Sequence, residues 1–522
     1  MKGEDTVTEQ IRTSLGADGV LLATIDMPGR TMNVFSVELM DALDALMDRV
    51  DADPAVRSVV VTSGKPAFLA GADLEMVRGY TVSARRLNRD QLFELCGRLG
   101  RQFVRLEASA KPWVAAVNGI AMGGGLELAM ACRARLVSAD PRILLSLPEV
   151  RWGLLPGAGG TQRLPRLVGF ENGLSLLLSG RSMNPQEAVE RGLFSAAVPA
   201  DRLVDEARAL ALRLQAFPYD PAIKFAHLAQ ADVPVHSPAT VRALARQHGI
   251  SDADFRDYPA YETIIDCVLL GARQPLPEAT AIEMSQFLRL MVDPVAGNMV
   301  RTLFLNRQRA ERESAPPPEL RIEALVVGPL SEAMALWQEA LARTRLPLRT
   351  DSTLAPNTLF VTDSRNVTHT VQLGTLDNEP ASSDEAAAQA LLSPRGAYGC
   401  VLEIIKATAP QAEALASLAQ RLGGALPYYS DDGASLLSRL TRAGRESLDA
   451  QALEAARLLA KGAAAKAEIL DVAACTANVT PAWTGGPVAH LWAHRDRLAP
   501  LLDPVAMGAW PRLEPMLREA CE

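Results

Sequence analysis

A chain of 522 residues is long enough for about three domains and an ample apolar core. Its 53 Lys and Arg against 61 Asp and Glu give a formal charge of −8, which argues against nonspecific nucleic-acid binding and leaves no polybasic membrane signal. The six cysteines are scattered with no CxxC pair, so neither a zinc site nor a disulfide framework is expected, and a reduced, cytoplasmic setting fits.

The first ten residues, MKGEDTVTEQ, are polar and acidic, without the apolar or Arg-rich pattern of a targeting peptide. No apolar run is long enough to span a bilayer. Strands are predicted at 18–25 and 57–63, with a helix between them over 36–50, where Val37, Met40, Leu43, Leu46, Met47 and Val50 recur at helical spacing. A strand at 112–117, a helix opening at Gly123, Gly124 and Gly125, a strand at 135–138 and a helix at 202–217 follow. Strands alternating with helices mean an α/β fold. Residues 218–315 read as helices punctuated by proline, including YDPAIKF at 219–225. SAPPPEL (Ser314–Leu320) reads as a linker, and a second α/β pattern starts at Ile322, with strands expected at 358–362 and 400–405. From about residue 431 the chain reads as mostly helical.

Chemistry concentrates in two segments. In MGGGLELAMAC, Glu127 sits three residues after Gly124, one turn into a helix whose first N–H groups face negative charge. In SLPEVRWGLLPGAGGTQRLPRLVG, Glu149 precedes a glycine-rich turn. A further glycine-containing turn, FLAGADLEM, offers a second free N–H, and two such donors make an oxyanion hole. All six histidines lie after residue 226, which removes Ser-His-Asp and Cys-His mechanisms from this region. Taken singly, a GGG is a turn and a helical Glu is a solvated side chain; it is the combination that points to acid/base chemistry beside a carbonyl. Arg163 and Arg166 are phosphate candidates, against the plainer reading of solvated surface arginines.

AGAD at 70–73, KPWVAAVNGIAMGGGLELAMAC at 111–132 and LPEVRWGLLPGAGGTQRLPRLVG at 147–169 together resemble the crotonase (enoyl-CoA hydratase/isomerase) superfamily in order and spacing. The resemblance implies a ββα spiral domain. It implies Glu127 and Glu149 as the catalytic glutamates, and the amides of Ala72 and Gly124 as the oxyanion hole. Asp73 takes a supporting role in shaping the loop. Two glutamates rather than one favour hydration of a 2-trans-enoyl-CoA, with 3-enoyl isomerisation as a side activity. Coenzyme A enters as part of the substrate, and no metal is expected.

Tyr258–Ala310 resembles the helical linker of the multifunctional fatty-acid β-oxidation α-subunit, and Val401–Leu440 its 3-hydroxyacyl-CoA dehydrogenase part. The implied layout is a hydratase domain at 1–200, a helical linker at 201–315, a degenerate Rossmann-like region at 316–428 and a helical region at 429–522. NAD is not expected. Only Gly328 of a GxGxxG fingerprint remains in Gly328-Pro329-Leu330-Ser331-Glu332-Ala333. Ala390 stands where the family has its catalytic histidine, Glu403 keeps the partner glutamate, and Ser438 replaces the asparagine. The C-terminal part has room for about one copy of a helical domain that the family duplicates. His490 and His494, four apart, read as an ordinary helix face, and Trp483, Trp492 and Trp510 as packing. The partner expectations are an acyl-CoA thioester and either a thiolase-like subunit or a homo-oligomer. A scaffold that docks such a subunit, and a crotonase for a specialised acyl-CoA, are the rival readings.

Overall fold

The computed structural model describes residues 6–7, 9–83, 86–217, 233–380, 387–430, 433–464 and 466–521. The helix expected at 219–225 and His227 lie outside the described residues. The chain divides into two units, 1–297 and 298–522.

The first unit is built on a seven-stranded sheet. Its members are β1 (Thr6–Val7), β2 (Ile11–Leu15), β3 (Val20–Ile25), β4 (Ser58–Ser63), β5 (Trp113–Val117), β7 (Ala134–Ser138) and β9 (Ala196–Val198), in the order β1-β2-β3-β4-β5-β7-β9. The β2–β3 pair is antiparallel, and the run from β3 to β9 is parallel. β4 and β5 are buried along their whole length, as expected for inner parallel strands made of continuous apolar runs. The helix Val37–Ala52 starts where the Ser36 side chain accepts from the Leu39 N–H, and it buries Met40, Leu43, Leu46, Met47 and Val50 of the stripe read from the sequence, while Val37 in its first turn is exposed. On the helix Leu203–Gln215, Leu203, Ala207 and Ala211 recur every four residues and pack on Val20, Val60, Val114 and Leu136. A small parallel pair joins β6 (Ala121–Met122), just before Gly123, to β8 (Leu145–Ser146), just before the segment that carries Glu149.

This unit runs past the expected boundary at residue 200. The helices Pro259–Gly271 and Leu276–Met291 pack against the helix Gly160–Val168. Ile264, Cys267, Val268, Met284 and Leu288 are buried, so the stretch read as a linker supplies core to the first unit.

The second unit holds another seven-stranded sheet: β10 (Ile322–Val327), β11 (Leu348–Thr350), β12 (Thr358–Asp363), β13 (Thr368–Thr375), β14 (Ala388–Leu392), β15 (Val401–Ile405) and β16 (Leu426–Ser430), ordered β11-β10-β12-β13-β14-β15-β16. β10/β11, β13/β14 and β15/β16 are parallel, while β10/β12, β12/β13 and β14/β15 are antiparallel. The sheet is therefore mixed. Asn366, at φ 61°, turns the chain directly from β12 into β13, leaving no room for a crossover helix. Trp337 is buried against Leu325, Val361 and Leu418, and its indole N–H donates to the Gly374 carbonyl at 2.7 Å. The helical end has its own core around Ala456, Leu459, Leu491 and Leu513; Trp492 is buried in it and Trp510 packs at its edge. All six cysteines are buried, and none is in a disulfide. Among the described residues, no helix is long and apolar enough to cross a membrane.

Candidate active site

The site forms where two backbone segments run side by side. Phe68 and Leu69 donate to the Ile120 carbonyl, and Met122 donates back to Leu69. Asn33 is buried and ties the neighbouring turn together, donating to the Ile25 carbonyl at 3.0 Å and to Ser63 Oγ at 2.8 Å. Phe35 donates to Gly71 and accepts from Asp73, in the pattern of a parallel bridge between Phe35 and Ala72. In that pattern the N–H of Ala72 points away from Phe35. The N–H of Gly124 lies in the first turn of its helix (Gly124–Ala131), where no intrahelical acceptor exists. Among the described residues, nothing else engages these two N–H groups. The segments are close, since a Cβ on Gly123 would stand 3.7 Å from Gly71 Cα.

Glu127, 2% exposed, sits one turn into that helix. Its Oε1 accepts from Ala158 and Gly160 N–H, each at 2.8 Å. Burial raises its pKa, opposed by those two bonds and by the Arg163 guanidinium. Gly160 is required at its position, because a Cβ there would meet Glu127 Oε1 at 2.8 Å.

Glu149 opens a single 3-10 turn, Glu149–Trp152. The residue is half-buried, but its Oε2 lies out of reach of solvent with no hydrogen-bond partner. Its pKa stands well above the ordinary value, first from burial and next from the charge of Glu127, with a smaller push from Glu283. An unpaired buried acceptor next to a second carboxylate suits a group that holds a proton or a water.

The structure brings together all four groups expected to do chemistry: Ala72, Gly124, Glu127 and Glu149. Asp73 lies beside them, where its carboxylate pairs with Arg30 at 2.7 Å and so ties the loop down. Arg163 and Arg166 are neither phosphate ligands nor solvated arginines. Arg163 is fully buried, 3.1 Å from Glu107, and donates to the Ala158 carbonyl at 2.8 Å. Arg166 donates to the carbonyls of Gln162 and Gly271, each at 2.8 Å.

Two residues from the supposed linker were not foreseen. Tyr258 Oη accepts from Gly153 N–H at 2.7 Å and donates to the Val150 carbonyl at 2.5 Å, clamping the turn that carries Glu149. Glu283 is wholly buried; it accepts from Gly159 N–H and, at 2.8 Å, from Thr161 N–H. Burial and the Glu127 charge push its pKa up to about 8. One signal was available in the sequence: Glu283 lies on the stripe Ala279, Thr280, Met284 and Leu288, where helical spacing calls for an apolar residue.

In the second unit, Ala390 pairs with Ile404, whereas Glu403 pairs with Leu391. Residues opposed in an antiparallel pair share a face, so Ala390 and Glu403 lie on opposite faces of the sheet. Glu403 instead accepts from Ser435 Oγ and Leu436 N–H, each at 2.6 Å, at the start of the helix Leu436–Gly444. Ser438 Oγ is buried with no hydrogen-bond partner. After β10, Gly328 donates to the Thr358 carbonyl and Ser331 to Asn357 Oδ1, and Pro329 has no N–H to give. His490 pairs with Asp449 at 2.9 Å. Among the described residues, no group of three His, Cys, Asp or Glu side chains gathers in a way that could hold a metal.

Part of the chain is similar to known proteins. Residues 16–262 match the family Enoyl-CoA hydratase/isomerase. The fatty acid oxidation complex subunit alpha of Idiomarina loihiensis is 35% identical over 308 residues, covering 57% of this chain and 41% of that protein. The subunit of the same name from Shewanella amazonensis is 32% identical over 332 residues, covering 60% of this chain and 43% of that one. The aligned stretch thus spans less than half the length of these curated relatives. A solved enoyl-CoA hydratase from Bacillus anthracis is 28% identical, covering 48% of this chain and 93% of that one, with a TM-score of 0.36. Residues 16–262, the stretch that carries Glu127 and Glu149, are thus similar to the Enoyl-CoA hydratase/isomerase family over a little under half of the chain.

Proposed function

We propose that the protein hydrates 2-trans-enoyl-CoA thioesters to 3-hydroxyacyl-CoA in fatty-acid oxidation or a related acyl-CoA pathway. The observation that carries this is the contrast between two neighbouring carboxylates beside free N–H donors. Glu127 receives two N–H bonds and feels Arg163, all of which favour its ionised form. Glu149 has an unpartnered buried oxygen and a strongly raised pKa, which favour its protonated form. Environments that push two carboxyls apart assign a base and an acid.

The steps then follow. The thioester oxygen accepts from the N–H groups of Ala72 and Gly124. A water between the glutamates gives a proton to Glu127 as its oxygen bonds to the β-carbon. The alkene electrons move to an enolate held by the two N–H donors, a stabilisation of about 3–4 kcal/mol per donor in comparable sites. Glu149 gives its proton to the α-carbon. The net addition is one water, and proton exchange with solvent resets the pair.

The second unit supports a reading without dehydrogenase chemistry. In the loop after β10 the N–H groups of Gly328 and Ser331 are already bonded, Pro329 has none, and Leu330 and Ala333 stand where a pyrophosphate loop needs glycines, so the residues present do not fit NAD. Ala390 and Glu403 facing opposite ways removes the pairing that hydride transfer requires. The test is a panel of enoyl-CoA substrates of different chain length, with and without NAD. Hydration that saturates with substrate and ignores NAD is expected. No hydration of any member, or NAD-dependent oxidation of the 3-hydroxy product, refutes the corresponding half of the proposal.

A further inference from the structure

Four consecutive N–H groups, at Ala158, Gly159, Gly160 and Thr161, alternate between two buried carboxylates. Those of Ala158 and Gly160 go to Glu127 Oε1. Those of Gly159 and Thr161 go to Glu283, which also takes the Thr161 hydroxyl at 2.5 Å. No donor of this ribbon is left over, so its register answers to both acids at once.

We propose that Glu283, on the helix Leu276–Met291, is a positioning residue for the hydration site: it fixes the 158–161 ribbon so that alternate N–H groups hold Glu127 in place. This rests on the hydratase reading above. A plain helix cap would not need an ionisable group here. Ser or Asn could cap the helix Gly160–Val168 without the cost of a buried carboxyl. The carboxyl also faces the chemistry electrically. The titratable and charged groups around it are Glu127, Glu149, Cys267 and Arg166. As Glu283 ionises, its charge helps Glu149 keep its proton to higher pH. The segment that carries Glu283 is therefore a working part of the site, and Tyr258 secures the Glu149 turn from the same segment.

The test compares the full chain with Glu283→Gln, whose NH2 group must face one of the two N–H donors, and with the milder Thr161→Val. Expected for Glu283→Gln are a kcat at least tenfold lower with KM within twofold, and an alkaline limb of kcat that falls at lower pH. Hydrogen exchange in the peptide spanning 155–163 should be at least tenfold faster. Thr161→Val should move kcat and exchange in the same direction by less. A pure packing role leaves the alkaline limb in place, so an unmoved limb overturns the proposal, as does a wild-type kcat or a loss confined to KM. Unchanged exchange in an active enzyme sinks the positioning role alone. A wild-type chain that hydrates no enoyl thioester sinks the hydratase reading, whatever the exchange data say.

Discussion

Glu149 Oε1 occupies space that only a glycine at position 123 leaves open: a Cβ there would stand 2.7 Å from it. Gly123 also has φ 52° and ψ −127°, a conformation closed to L side chains. The turn that precedes the Gly124 donor and the placement of the Glu149 acid are thus one constraint. Gly123→Ala should lower kcat by about 10²-fold through displaced catalytic groups, and cost about 1–3 kcal/mol of stability through backbone strain. Steady-state kinetics beside a denaturant titration measure both. A variant with wild-type kcat would show that the Gly123–Glu149 contact does not set the geometry.

Glu127→Gln and Glu149→Gln should each reduce kcat by about 10²–10⁴-fold, the usual worth of a positioned acid or base. Their pH behaviour should separate them. On the proposed roles, wild-type activity should fall at low pH as Glu127 takes up a proton, and at high pH as Glu149 loses one. Both limbs lie above the ordinary carboxylate range, because both pKa values are raised. Residual activity of Glu127→Gln should lack the acid limb, and that of Glu149→Gln the alkaline one. Opposite assignments in the profiles would exchange the roles of the two glutamates.

How much of this was legible in the sequence depends on how far apart the cooperating residues lie. Gly124 and Glu127 are three residues apart on one helix, so local geometry alone relates them. The glycine-containing turn at 70–73 was readable after a buried strand, but Ala72 as its donor came only from the resemblance. Glu283 works on residues more than a hundred positions away, and its role exists only once two helices have packed on Gly160–Val168. Arg163 was misread for the same reason, since nothing local announces that Glu107 will be buried beside it. In the second unit, one residue of register decides whether Ala390 faces Glu403. Alternation along a strand is visible in a sequence, but its phase against a neighbouring strand is not.

Asp471 supplies a test of the second unit. It accepts from Val488 N–H at 2.7 Å and Ala489 N–H at 3.0 Å, at the head of the helix Pro487–Ala493. Burial lifts its pKa from 3.8 to about 8, outweighing those bonds and the Arg301 charge. A carboxyl with a folded pKa above its unfolded value binds more protons when folded. Its contribution is therefore full below the unfolded value and is lost as pH rises to about 8. Glu403, lifted to about 7 by burial, adds in the same sense. Denaturant titrations should show stability falling between about pH 4 and about pH 8, with a shallower fall in Asp471→Asn. Equal slopes in the two proteins would mean that Asp471 does not titrate in this range.

Arg163 connects stability to chemistry in a single side chain. It is fully buried 3.1 Å from Glu107, it holds the Ala158 carbonyl, and its charge favours ionised Glu127. Arg163→Met keeps much of the volume but leaves the buried Glu107 carboxylate without that guanidinium. Breaking a buried pair from one side costs about 3–5 kcal/mol. The same change removes a force that lowers the Glu127 pKa, so the base form should appear only at higher pH. The acid limb of kcat should therefore move upward, while the alkaline limb, set by Glu149, shifts less. A destabilised variant with an unmoved acid limb would confine Arg163 to packing. A shifted limb with Arg163→Lys restoring part of it would tie the effect to charge, because lysine returns the cation without the planar fork.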